Sequence, residues 1–117
     1  MGMYTKVNLI STLKKDTDVN KFLEENWYLN CSSYYHTGTS NTKYFKEENV
    51  IHIDCDFKDY PEDRLGNILK WLKENSTENY NRFLGYSRYE ETNNPTLYFI
   101  NKGKITEFTN KNVEEHF

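Results

Sequence analysis

Asn49-Val50-Ile51-His52-Ile53-Asp54-Cys55-Asp56-Phe57 is the stretch on which the fold turns. Ile51, Ile53, Cys55 and Phe57 share one phase; His52, Asp54 and Asp56 share the other. Side chains alternate between the two faces of a strand, so a strand over 50–57 buries the first set and wets the second. Downstream, Pro61 is pre-set for a first helical turn and opens a helix over 61–75. Within it Leu65, Ile68, Leu69 and Leu72 recur at i, i+3, i+4 and i+7, one apolar stripe. Strand and helix together predict a sheet with this helix packed against it.

Upstream, residues 3–10 alternate loosely and read as a short strand. Asp16-Thr17-Asp18 offers caps for a helix over 17–26, with Val19, Phe22, Leu23 and Trp27 following at helical spacing. Residues 27–36 read as a second strand, with Trp27, Leu29, Cys31 and Tyr35 in one phase. His36 to Thr42 is small and polar, a loop; Lys43 to Asn49 fits either a short helix or a hairpin arm. Downstream, 80–90 is aromatic and strand-like, and 96–100 and 105–109 are strands joined by a turn at Asn101-Lys102-Gly103-Lys104. Val113 and Phe117 suit a short final helix capped by Thr109 or Asn110.

A chain of 117 residues builds one domain around one core. Only 36% of residues are apolar but 16% are aromatic, so ten Tyr and seven Phe supply much of the buried area. Ala and Gln are absent while Asn, Lys and Tyr abound, a codon-like bias that explains most tyrosines without a binding site. Met1-Gly2 ahead of Met3 reads as a cloning remnant. The net charge of −3, with 15 scattered basic residues, argues against nucleic-acid binding, which needs a clustered basic face. No apolar run is long enough for a membrane helix, and no secretory leader is visible. Cys31 and Cys55 lack redox or metal spacing and read as buried reduced thiols, so a cytoplasmic location is expected.

Two segments carry a resemblance. Pro95-Thr96-Leu97-Tyr98-Phe99-Ile100-Asn101-Lys102-Gly103-Lys104-Ile105 resembles the strand after the cis-proline of thioredoxin-like domains, followed by their hairpin. Ile51-His52-Ile53-Asp54-Cys55-Asp56 is similar to that family's second core strand. The resemblance implies an α/β fold, a central sheet flanked by helices, with 28–35 as the first core strand parallel to 50–57. It places the active-site loop near Gly38 to Lys43, where Thr39-Ser40-Asn41-Thr42 stands in place of Cys-x-x-Cys. A hydroxyl barely ionises and cannot replace an attacking thiolate, so disulfide exchange is not expected. The alternative fold is an α+β ferredoxin-like sandwich. Its strands are 3–10, 27–36, 50–57 and 80–90, its helices 17–26 and 61–75, and 96–109 an added hairpin.

Four groups are candidate sites. His36, Thr37, Gly38, Thr39 and Ser40 could cradle an anion, although a polar turn explains the same composition. His52, Asp54 and Asp56 could ligate a metal, but the polar phase of a half-wet strand is the plainer reading, and no metal or cofactor is expected. The acids Asp54, Asp56, Asp59, Glu62 and Asp63 outnumber what a helix dipole needs and suggest a docking patch for a basic protein surface. Tyr80, Phe83, Tyr86 and Tyr89 with Arg82 and Arg88 have the composition of a protein-binding surface, with Tyr86, Arg88 and Tyr89 as its centre.

No Ser/His/Asp or Cys/His arrangement is readable, so no catalytic residue is assigned. The expected function is a non-catalytic protein-binding accessory or inhibitory protein, of immunity, antitoxin-like or anti-defence type. The alternative is a divergent thioredoxin-like oxidoreductase or a small hydrolase.

Overall fold

The structure, a computed structural model, describes residues 4–29, 37–58, 63–77, 82–90 and 94–109. Strands β1 (Tyr4–Thr12), β2 (Thr37–Ser40), β3 (Lys43–Phe45), β4 (Val50–Lys58), β5 (Arg82–Tyr89), β6 (Thr96–Asn101) and β7 (Lys104–Thr109) form one sheet. Helix α1 (Val19–Glu25) follows β1, and α2 (Asp63–Asn75) follows β4. A 3-10 turn over Trp27–Leu29 lies between α1 and β2. The sheet order is β2-β4-β1-β5-β6-β7, and β3 continues the β2 edge along β4.

Every pairing among the described strands is antiparallel. This overturns the thioredoxin-like expectation of an α/β sheet with parallel core strands and helices on both sides. The fold is α+β and dominated by the sheet. Segment 28–35, the strand on which that expectation depended, is not a strand where it is described: Tyr28 and Leu29 belong to the 3-10 turn, and 30–36 lies outside the described residues. The edge of β4 away from β1 is paired antiparallel instead by Thr37–Ser40 and Lys43–Phe45, read from sequence as loop and as ambiguous. With β1, β4 and β5 adjacent in the middle, the connectivity is a split β-α-β unit with the β6-β7 hairpin added at the β5 edge.

Local signals explain the elements. The Asp18 carboxylate accepts from the Lys21 backbone N–H at 3.0 Å and caps α1. Asp63 sits in the first turn of α2, where a negative charge suits the dipole. Lys102 and Gly103 have φ of 54° and 75°, the paired positive values of a two-residue hairpin turn. Pro61 and the proposed C-terminal helix lie outside the described residues.

The core lies on one side of the sheet. Val7 and Leu9 of β1, Ile51, Ile53, Cys55 and Phe57 of β4, Leu84, Tyr98 and Ile100 meet Val19 and Phe22 of α1 and Ile68, Leu69 and Leu72 of α2. Each fully buried aliphatic contributes ~1.5–3 kcal/mol relative to exposure. The helices meet each other through Phe22 and Trp71, whose rings stack 3.8 Å apart. The C-terminus of α2 is tied to β1 by the Ser11 hydroxyl donating to Ser76 Oγ at 2.6 Å and by the Thr77 N–H donating to the Thr12 carbonyl at 2.9 Å. Arg82 adds a guanidinium bond to Thr12 Oγ1 at 2.7 Å.

Candidate functional site: the bare face of the sheet

Both helices pack on the face shared by Val7, Leu9, Ile51, Ile53 and Cys55. The opposite face carries Lys6, Asn8 and Ile10 from β1 and His52, Asp54 and Asp56 from β4. Register extends it: Lys6 faces Arg88, Asn8 faces Tyr86, Tyr86 faces Leu97, and Leu97 faces Phe108. No described helix covers this side.

A β-bulge shapes the face. Between Phe83 and Gly85 the β5 register shifts, so that Phe83 pairs with Phe99 and Tyr86 with Leu97. Phe83 and Tyr86 are an odd number of residues apart, and simple alternation would send them to opposite faces. The extra residue, Leu84, drops into the core instead and returns both aromatics to the bare side. Gly85 is obligatory there: its φ is +146°, and a Cβ would lie 1.9 Å from the Asn8 carbonyl oxygen.

Two zones result. One is apolar, with Ile10, Phe83 and Phe108 at 46%, 48% and 42% exposure beside Leu97 and Phe99. The other is charged and mixed in sign. Lys6 Nζ lies 3.8 Å from Asp54 Oδ1. Asp56 titrates above the usual carboxylate range, chiefly because partial burial disfavours its charge; Lys6 opposes this, while Asp54 and Glu90 add to it.

The candidate residues read from sequence divide between places. Asp54, Asp56, Tyr86 and Arg88 gather on the bare face. Tyr89 faces Thr5, on the core side of the sheet. Asp63 heads α2, whose apolar stripe packs on the opposite face from Asp54 and Asp56. Asp59, Glu62 and Tyr80 lie outside the described residues. The acid run is therefore not one patch across its described members, and Lys6 offsets Asp54 within its charged row.

The anion-cradle expectation meets a different geometry. Thr37 to Ser40 is a strand whose backbone ladders with β4 at Thr37–Phe57 and Ser40–Cys55, not a turn of converging N–H groups. The Ser40 hydroxyl donates to the Tyr28 carbonyl at 2.7 Å. His36 lies outside the described residues. Nor do His52, Asp54 and Asp56 all converge: at a strand rise of ~3.3 Å per residue the first and last stand about 13 Å apart, too far for all three to share one ion. His52 Nε2 is instead 3.1 Å from Asn8 Oδ1. Among the described residues no group of three His, Cys, Asp or Glu could hold a metal ion.

Cys55 points into the core at 1% exposure, and burial, helped by Asp56 and Asp54, pushes its thiol up to about 12. It is no nucleophile at neutral pH. Cys31 lies outside the described residues. Sequence reasoning named Phe83 only as part of an aromatic band and gave Ile10, Leu97, Phe99 and Phe108 no site role; exposed positions in an otherwise apolar strand were the only available signal.

Among the described residues no helix is long and apolar enough to cross a membrane. No protein-family model matches the chain, and no curated protein or solved structure matches it significantly.

Proposed function

We propose that this chain is a non-catalytic protein-binding domain, accessory or inhibitory in role, that docks through the bare face of its sheet. The observation that carries the reading is the gathering of Ile10, Phe83 and Phe108, all more than 40% exposed, on the side that no described helix covers. Large apolar side chains exposed together, bordered by charge, mark interaction surfaces more often than chance exposure. Tyr86 lies between the zones and Arg88 faces Lys6 in the charged one, and both are residue types that anchor interfaces. Lys6, Arg88, Asp54 and Asp56 supply a rim of both signs, which suits a polar partner surface of matching pattern rather than a uniformly basic one.

Affinity capture from the native host, with the full chain as bait, tests this. Wild type and Lys21→Glu, a change on exposed α1, are expected to retain the same protein. Phe83→Asp and Phe108→Asp are expected to lose it. Equal retention by all four baits would sink the reading.

A further inference from the structure

We infer that the outer edge of β7, with the groove between β7 and α2, is a second docking site that takes an extended acidic peptide as an added strand.

Three observations support it. The first is the edge. β7 is last in the sheet and pairs only with β6 among the described residues. The two-residue turn closes the hairpin with Asn101 and Lys104 as a hydrogen-bonded pair. Alternation then turns the backbone groups of Lys104, Thr106 and Phe108 towards β6 and those of Ile105, Glu107 and Thr109 outward. The pairing runs without a bulge or a proline, so the edge lacks two of the usual devices that block strand addition.

The second is the groove beside it. An open groove of ≈ 510 Å³ lies between β7 and α2, with Leu69 and Ile105 as apolar lining and Lys70, Lys73 and Lys104 around it. Glu107 is the single carboxylate among its described lining residues. The chain as a whole carries −3, so three lysines at one groove run against the average. None of the three is ion-paired among the described residues.

The third is Gly66. It lies within α2 on the stripe of Leu69, Lys70 and Lys73, where glycine weakens a helix. A Cβ there would meet nothing within 4 Å, so no described packing requires glycine. The open space beside Gly66 leaves room for a ligand backbone close to the helix.

The occupant's chemistry follows from register. A strand added to β7 bonds to Ile105 and Glu107, and its residues opposite those two point to the α2 side, where carboxylates meet Lys70 and Lys73. The alternate residues point to the bare face beside Phe108, where apolar side chains are favoured. An alternating acidic and apolar peptide satisfies both. A nucleic acid could answer the lysines but has no peptide backbone to ladder with β7.

Fluorescence anisotropy on the full chain tests this with four labelled probes: short peptides alternating Glu with Val, alternating Lys with Val, or all Glu, and a deoxythymidine oligonucleotide. The Glu/Val peptide is expected to bind best. Lys70→Glu with Lys73→Glu is expected to weaken it by roughly tenfold or more. Glu107→Gln removes the opposing carboxylate and strengthens binding; Glu107→Pro removes the same charge but also an outward N–H, and weakens it. Thermal melts check that each variant folds. Binding of the oligonucleotide or all-Glu peptide as tight as Glu/Val, or an unweakened Glu107→Pro, would reduce the site to charge attraction and overturn the inference, as would no binding by Glu/Val. Phe83→Asp is expected to leave the peptide bound, so this site and the bare-face reading fail separately.

Discussion

The rings of Phe83 and Phe99 lie 5.3 Å apart across β5 and β6, on the side of the sheet that no described helix covers. A cross-strand aromatic pair of this kind contributes about 0.5–1.5 kcal/mol beyond its buried area. Phe83 is nonetheless 48% exposed. Phe83→Ser is expected to cost only about 1 kcal/mol in a denaturant titration. Loss of cooperative folding would place Phe83 in the core.

Gly85 should tolerate nothing larger. A Cβ would overlap the Asn8 carbonyl oxygen, which is backbone in the central pairing of β1 with β5 and cannot step aside. Gly85→Ala is expected to destabilise by about 3 kcal/mol or more, at the upper end for single substitutions. Its melting temperature beside that of Gly66→Ala is informative: the latter adds a Cβ in open space in a helix and should raise stability by about 0.5–1 kcal/mol.

Asp56 gives a pH signature of definite sign. Its folded pKa is raised above the ordinary 3.8, chiefly by burial. The folded state therefore holds this proton more tightly than the unfolded state, and stability falls as pH rises through the window above 3.8. Asp56→Asn is expected to stabilise at pH 7, with the gain fading as pH falls below that window. The gain should stay within about 0.5 kcal/mol, since the group is partly exposed and screened. Urea titrations of both proteins across acid and neutral pH check it; a gain that grew on acidification would contradict the assignment.

Cys55 should be chemically silent while the protein is folded. With its thiol pushed up to about 12 and 1% exposed, it presents almost no thiolate at pH 8. Iodoacetamide at that pH, followed by peptide mapping, is expected to leave Cys55 unmodified in native protein and alkylated in urea. Rapid native modification would show that β4 opens.

What the sequence alone determined is what local periodicity can encode. The alternation of 50–57 reappears as β4, with Ile51, Ile53, Cys55 and Phe57 buried. The stripe of Ile68, Leu69 and Leu72 reappears as the buried side of α2, and Lys102-Gly103 as the turn of the last hairpin. These signals are legible because each is written within one element. The thioredoxin-like expectation failed for the complementary reason: short matches in β4 and the β6-β7 hairpin carry no information about which strands are neighbours or how they run.

Pairing partners were decided only in the tertiary structure. Thr37 to Ser40 has loop composition, yet it is a strand because the β4 edge offers it Phe57 and Cys55 as partners. The bare face needed more still. Phe83 and Tyr86 share it because Leu84 is an extra residue in β5, and that bulge closes only because Gly85 lets the Asn8 carbonyl come close. A contact between β5 and the start of the chain thus set which aromatics face outward, and no window of sequence contains both ends of that contact.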